Sequence, residues 1–205
     1  MRMRAIPLVR RVRPRHAVAL VFPCIVLIGM LGADYGQDPA RIWDLGKEHN
    51  LPSAFSALLL CVAGGLALLL GEADRRAGRV AELLGLFLIW MALNEAVALH
   101  ERPEDLTGVA WPVFWFPVML VGAVLGLRLL RLLNRPAALL FLGGAAGWLC
   151  APVLDLLQEG VAETGSGLFE FILATEELAE LVGSMLFVTA MLEALRVPRL
   201  EPAAA

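Results

Sequence analysis

Apolar residues run through this chain in six long blocks, separated by short stretches where arginine, acidic residues and proline gather. The blocks fall at about 17–32, 53–71, 81–99, 111–130, 137–157 and 168–195. An α-helix needs roughly 17–25 mostly apolar residues to cross the hydrocarbon layer of a bilayer, and each block is of that order. The pattern predicts an all-α, polytopic transmembrane bundle of six helices. It divides the chain into a basic segment over 1–16, a membrane domain over 17–197 and a tail over 198–205.

The arginines orient the spans. Arg2, Arg4, Arg10, Arg11, Arg13 and Arg15 precede span one; Arg75, Arg76 and Arg79 separate spans two and three; Arg128, Arg131 and Arg135 separate four and five; Arg196 and Arg199 follow six. Only Arg41, Lys47 and Arg102 fall on the other side. Basic residues concentrate in cytoplasmic loops, so both termini are expected in the cytoplasm and the protein in a plasma (inner) membrane. Trp111 and Trp115 in WPVFWFP open span four at the outer headgroup level, and Trp43 suits a short interfacial helix with Asp38 as N-cap and Pro39 after it.

Composition agrees: 59% of the 205 residues are hydrophobic and the mean hydropathy is +0.73, well above an average soluble domain. The net charge of -3 points to no nucleic-acid partner. The basic leader and apolar run AVALVFPCIVLIGMLGA are longer than the usual core of a cleaved signal, so this block reads as a retained span. Cys24, Cys61 and Cys150 occur singly, without a CxxC or a neighbouring histidine, and are expected as buried structural thiols.

Gly122 with Gly126, and Gly143 with Gly147, give two small-residue spacings of four, suited to close helix packing within the chain or between copies. Pro23, Pro117 and Pro152 interrupt spans one, four and five. The acids do not sit at symmetry-equivalent ends of the two halves, which argues against an inverted-repeat transporter.

The chemistry lies in where the acids fall. Span three places Glu95 in its outer third, with His100 and Glu101 at its outer end, and span five places Asp155 near its exit. At a helical rise near 1.5 Å, span six puts Glu176 and Glu177 about 10 Å deep and Glu180 about 15 Å deep. Glu170, Glu177, Glu180 and Ser184 share one stripe, whereas Asn94 pairs in phase with Glu101 and Glu95 is about 140° from His100. An ionised carboxylate at the bilayer centre costs on the order of 2.5–3.5 kcal/mol, so these groups must be protonated, paired or bound to a cation.

Three functions follow as expectations. The first is a divalent metal site with Glu95, His100, Asp155, Glu177 and Glu180 as ligands and Asn94, Glu101, Glu176 and Ser184 lining the pocket. An imidazole among carboxylates favours iron, manganese or zinc, and the chemistry would be activation of water or oxygen on a lipid or small amphiphile. No Glu-x-x-His pair or HExxH occurs to identify the site further. The second is proton- or cation-coupled transport through Glu177 and Glu180, against which span two and the inner half of span six are nearly free of polar residues. The third is a structural subunit whose acids meet the basic residues of a membrane-protein partner or a second copy.

The run ALNEAVALHE, with EELAELVGSMLF far downstream, resembles segments of bacterial six-helix membrane proteins that are uncharacterised and in which Asp often occupies the position of Asn94. The resemblance implies the six-helix fold and no activity.

Overall fold

The computed structural model describes residues 12–32, 50–97, 111–161 and 166–196, and all the regular structure within them is helical. In chain order the helices are α1 (Pro14–Gly32), α2 (Leu51–Ala73), α3 (Gly78–Val97), α4 (Trp111–Leu130), α5 (Arg135–Val161) and α6 (Gly167–Arg196). Four of them, α2, α3, α5 and α6, are long and apolar enough to cross a membrane; the apolar stretches Pro14–Met30 and Trp115–Leu130 are shorter. Asp38, Pro39, Trp43, His100 and Glu101 lie outside the described residues.

Local chemistry sets the helix ends. Asn50 caps α2, its side chain accepting the Ser53 N–H at 2.9 Å while the Ser53 hydroxyl accepts the Asn50 N–H at 3.3 Å. This reciprocal box satisfies two amides that the first helical turn leaves open. The turn into α3 is closed by Asp74, whose carboxylate accepts the Arg76 amide at 3.0 Å. Asn134 starts α5 by accepting the Ala137 N–H at 2.9 Å, and Ser166 starts α6 by accepting the Phe169 N–H at 3.2 Å. Pro23, Pro117 and Pro152 lie inside helices, as their positions imply.

Five helices close a ring: α2 packs along α3 and α6, α3 also meets α4, α4 meets α5, and α5 packs along α6, while α1 lies outside against α6. Glycine makes the two tightest pairs. A Cβ on Gly64 would sit 2.7 Å from the Gly85 carbonyl oxygen, and one on Gly144 would sit 2.9 Å from that of Gly183. Without side chains at these crossings the backbones touch, which increases dispersion contact where lipid offers no hydrophobic drive. The spacings anticipated from sequence are used inside the chain: Gly143 and Gly147 meet Leu186 and Ala179 of α6, Gly122 meets Phe87 of α3, and Gly126 meets Phe141 of α5.

The core is a single apolar cluster that includes Leu60, Leu181, Met191 and Phe141. The surface is equally apolar, with Leu20, Phe116, Met30 and Phe171 each about 70% exposed. Such an exterior suits lipid and would be an aggregation hazard in water. Cys24, Cys61 and Cys150 are free and exposed, contrary to the burial expected of them. On a helix apolar all round, hydropathy does not tell the bundle side from the lipid side.

Candidate functional site

Among the described residues basic charge is confined to one end of the bundle, where Glu72, Asp74, Glu82 and Glu193 accompany it. Every described arginine and histidine lies at one end: Arg13, Arg15 and His16 at the start of α1, Arg75, Arg76 and Arg79 at the α2–α3 turn, Arg128, Arg131 and Arg135 at the α4–α5 turn, and Arg196 closing α6. The other end holds Glu95, Asp155, Glu170, Glu176, Glu177 and Glu180, with no described basic residue among them.

The glycine crossings serve as level marks. Gly64 and Gly85 meet on α2 and α3, Phe87 meets Gly122, Gly126 meets Phe141, and Gly144 meets Gly183. Stepping around the ring by these contacts, at a rise of 1.5 Å per residue, brings the first and last crossings to within about 2 Å of one level. Measured from there toward the acidic end, Glu180 lies at about 6 Å, Glu177 at about 10 Å, Ser56 and Glu176 at about 12 Å, and Glu95 at about 15 Å. Ser53 and Asp155 lie slightly further out.

Helical phase then places the side chains. On α3, Gly85 faces α2 and Phe87 faces α4; between those faces runs the buried stripe Leu84, Leu88, Met91 and Glu95. Glu95 is only 6% exposed and so turns into the ring. Asn94, 5% exposed, falls one heptad beyond Phe87 on the α4 side, level with Trp115. Trp115 is buried against Trp90 with ring centroids 4.9 Å apart, so its indole packs inward against α3.

On α6, Gly183 faces α5 and Leu178 faces Gly29 of α1. Glu177 and Glu180 continue the buried stripe of Ser184, Val188 and Met191 that runs between those faces, while Glu176 lies nearer α5. All three glutamates and Asp155 are half-buried. Ser184 is fully buried and its hydroxyl accepts the Trp148 indole N–H at 3.0 Å, which ties α5 to α6 just below the acids. Glu95, Asp155, Glu170, Glu176, Glu177 and Glu180 each take part in hydrogen-bonding or electrostatic interactions.

The sites expected from sequence are therefore partly brought together. Asp155, Glu176, Glu177, Glu180 and Ser184 share the α5–α6 pair. Glu95 and Asn94 reach the same layer from α3, but α3 packs mainly on α2 and α4, with α2 standing between it and α6. The expected meeting of spans three, five and six is replaced by a layer to which α2 also contributes. Among the described residues, no group of three or more His, Cys, Asp or Glu is gathered so as to hold a metal ion. Sequence reasoning missed Ser56 and Trp148. Ser56 sits in phase with the small residue Ala63 on the same buried side of α2, a signal visible only once that side is known.

Below this layer the ring is filled. Leu84, Leu88 and Met91 from α3 and Val188 and Met191 from α6 are all buried, and the Thr189 hydroxyl is spent on its own helix, donating to the Met185 carbonyl at 2.8 Å. The arrangement is suited to holding a positively charged group near one end of the bundle. Among the described residues it provides no polar path toward the arginine end.

No curated protein and no solved structure matches the chain. The family model described as Domain of unknown function (DUF8692) matches residues 17–195, nearly the whole described bundle, and the chain belongs to that family.

Proposed function

We propose that this is a six-span membrane protein, with its arginine end in the cytoplasm and its acidic layer open to the outer side, that binds a divalent cation in that layer. The observation that carries the reading is Glu95: a carboxylate 6% exposed, facing the ring interior at nearly the depth of Glu176 and Glu177, at an end without a described basic residue. Carboxylates in an apolar setting are costly unless a cation or hydrogen-bond donors compensate them. A divalent ion neutralises two of them at once and draws Glu95 and Glu177 together across α2. His100 and Glu101 follow α3 in sequence and are the residues proposed to complete the coordination.

Binding without passage is favoured by the packed residues beneath the layer. The test is metal analysis and equilibrium dialysis of the detergent-purified chain, beside Glu95→Ala and Glu180→Ala. The expected result is about one ion per wild-type chain and a large loss in both variants. Absence of any bound or added divalent ion in the wild type overturns the reading.

A further inference from the structure

The arginines at the basic end differ in their company. At the α2–α3 turn, Arg75, Arg76 and Arg79 are accompanied by Glu72, Asp74 and Glu82. Arg196 is paired with Glu193 at 3.1 Å, and Arg13 and Arg15 lie on the peripheral helix α1. Arg128, Arg131 and Arg135 are different: all three are exposed, no acid falls between them in sequence, and they form no ion pair among the described residues. The acids of the flanking helices are engaged elsewhere. Glu82 lies against Gly71 of α2, where a Cβ would come within 2.7 Å of its Cγ, and Glu193 is held by Arg196.

The turn keeps these three arginines together. The Leu132 and Leu133 N–H groups both donate to the Leu129 carbonyl, at 2.8 and 3.1 Å, so helical winding continues past Arg131. Asn134 then caps α5, whose first residue is Arg135. Just below, Gly126 meets the Phe141 ring and clamps the two helices.

Each helix also carries an exposed apolar stripe that ends at its arginines. On α4, Leu120, Val124 and Leu127 lie within about 60° of one another and lead to Arg128 and Arg131. On α5, Leu139, Leu142 and Leu149 lie within about 40° of Arg135. These six side chains are 42–60% exposed. In a bilayer, hydrocarbon-facing surface on both helices therefore rises to one group of three positive charges at the headgroup level.

We infer that the α4–α5 turn binds an anionic phospholipid, its phosphate held by Arg128, Arg131 and Arg135 and its acyl chains lying along the apolar surface below. Guanidinium groups bond phosphate oxygens in pairs, and basic clusters at the membrane boundary draw anionic lipids. With no carboxylate paired to the three, the lipid supplies the counter-charge. The inference depends on placement of the chain in a bilayer and not on the cation site at the opposite end.

The test uses the full chain in a neutral detergent, titrated separately with phosphatidylglycerol, phosphatidylcholine and glycerol 3-phosphate. Thermal unfolding and the lipid retained in native mass spectrometry are the readouts. The inference expects saturable binding and stabilisation by phosphatidylglycerol, little by phosphatidylcholine, and none by the soluble phosphate, which has no acyl chains. Arg128→Gln, Arg131→Gln and Arg135→Gln combined are expected to weaken phosphatidylglycerol binding by at least about tenfold, and each alone by about fivefold. Arg75→Gln, Arg76→Gln and Arg79→Gln combined remove the same charge from the other turn and are expected to leave the affinity nearly unchanged. Lysine at positions 128, 131 and 135 keeps the charge and is expected to restore most of the binding. Equal losses in the two glutamine triples indicate attraction to net charge alone and overturn the inference, as does equal binding of phosphatidylcholine or of glycerol 3-phosphate.

Discussion

Trp148 and Ser184, far apart in sequence, are joined by a buried hydrogen bond of 3.0 Å from the indole N–H to the serine hydroxyl. The bond links α5 to α6 one turn below Glu180, so it sets the floor of the acidic layer. Ser184→Ala leaves the indole N–H buried without its acceptor and is expected to destabilise the protein by about 1–2 kcal/mol. Removing both partners in Trp148→Phe with Ser184→Ala is expected to cost less than the sum of the two single changes. Reversible unfolding in mixed detergent measures all three.

The Gly64–Gly85 crossing makes a steric prediction. In Gly64→Ala the new Cβ falls 2.7 Å from both the Gly85 carbonyl oxygen and the Ile89 side chain. Overpacking of this kind costs about 1–3 kcal/mol, and here it also forces α3 outward and shifts Glu95. The adjacent Gly65 has nothing within 4 Å of its Cβ position. Gly65→Ala is therefore expected to be neutral, or stabilising by up to about 1 kcal/mol. Equal losses in the two variants would refute the packing assigned to these helices.

Asn134 holds the start of α5 through the Ala137 amide. Asn134→Ala is expected to lower stability by about 1 kcal/mol through loss of the cap, and Asn134→Asp to retain most of it. Unfolding midpoints for the pair distinguish a capping role from general intolerance at the turn.

The outward cysteines allow orientation to be measured. Replacing Cys24, Cys61 and Cys150 with alanine removes exposed groups that contact little of the bundle, with an expected change within about 0.5 kcal/mol. In that background, Arg131→Cys is expected to react with a membrane-impermeant maleimide only from the cytoplasmic side, and Gly160→Cys only from the outer side. Both positions are exposed, at opposite ends of α5 and its preceding turn. The reverse pattern would place the acidic layer on the cytoplasmic face.

The sequence by itself determined the helices and their ends. Apolar blocks of membrane length, capping residues such as Asn50, Asn134 and Ser166, and arginine-rich turns are local signals, and the helix limits follow them within a few residues. The order of the acids along each helix was also legible, because it is a count of residues from a helix end. Tertiary structure alone decided which side of each helix faces inward. A span that is apolar all round buries one side in protein and the other in lipid at similar solvation energy, so hydropathy did not reveal that the cysteines face out, that Trp115 packs inward, or that Ser56 is buried on the inner side of α2. Those choices come from backbone contact at Gly64–Gly85 and Gly144–Gly183, where shape selects the neighbour and solvent transfer does not.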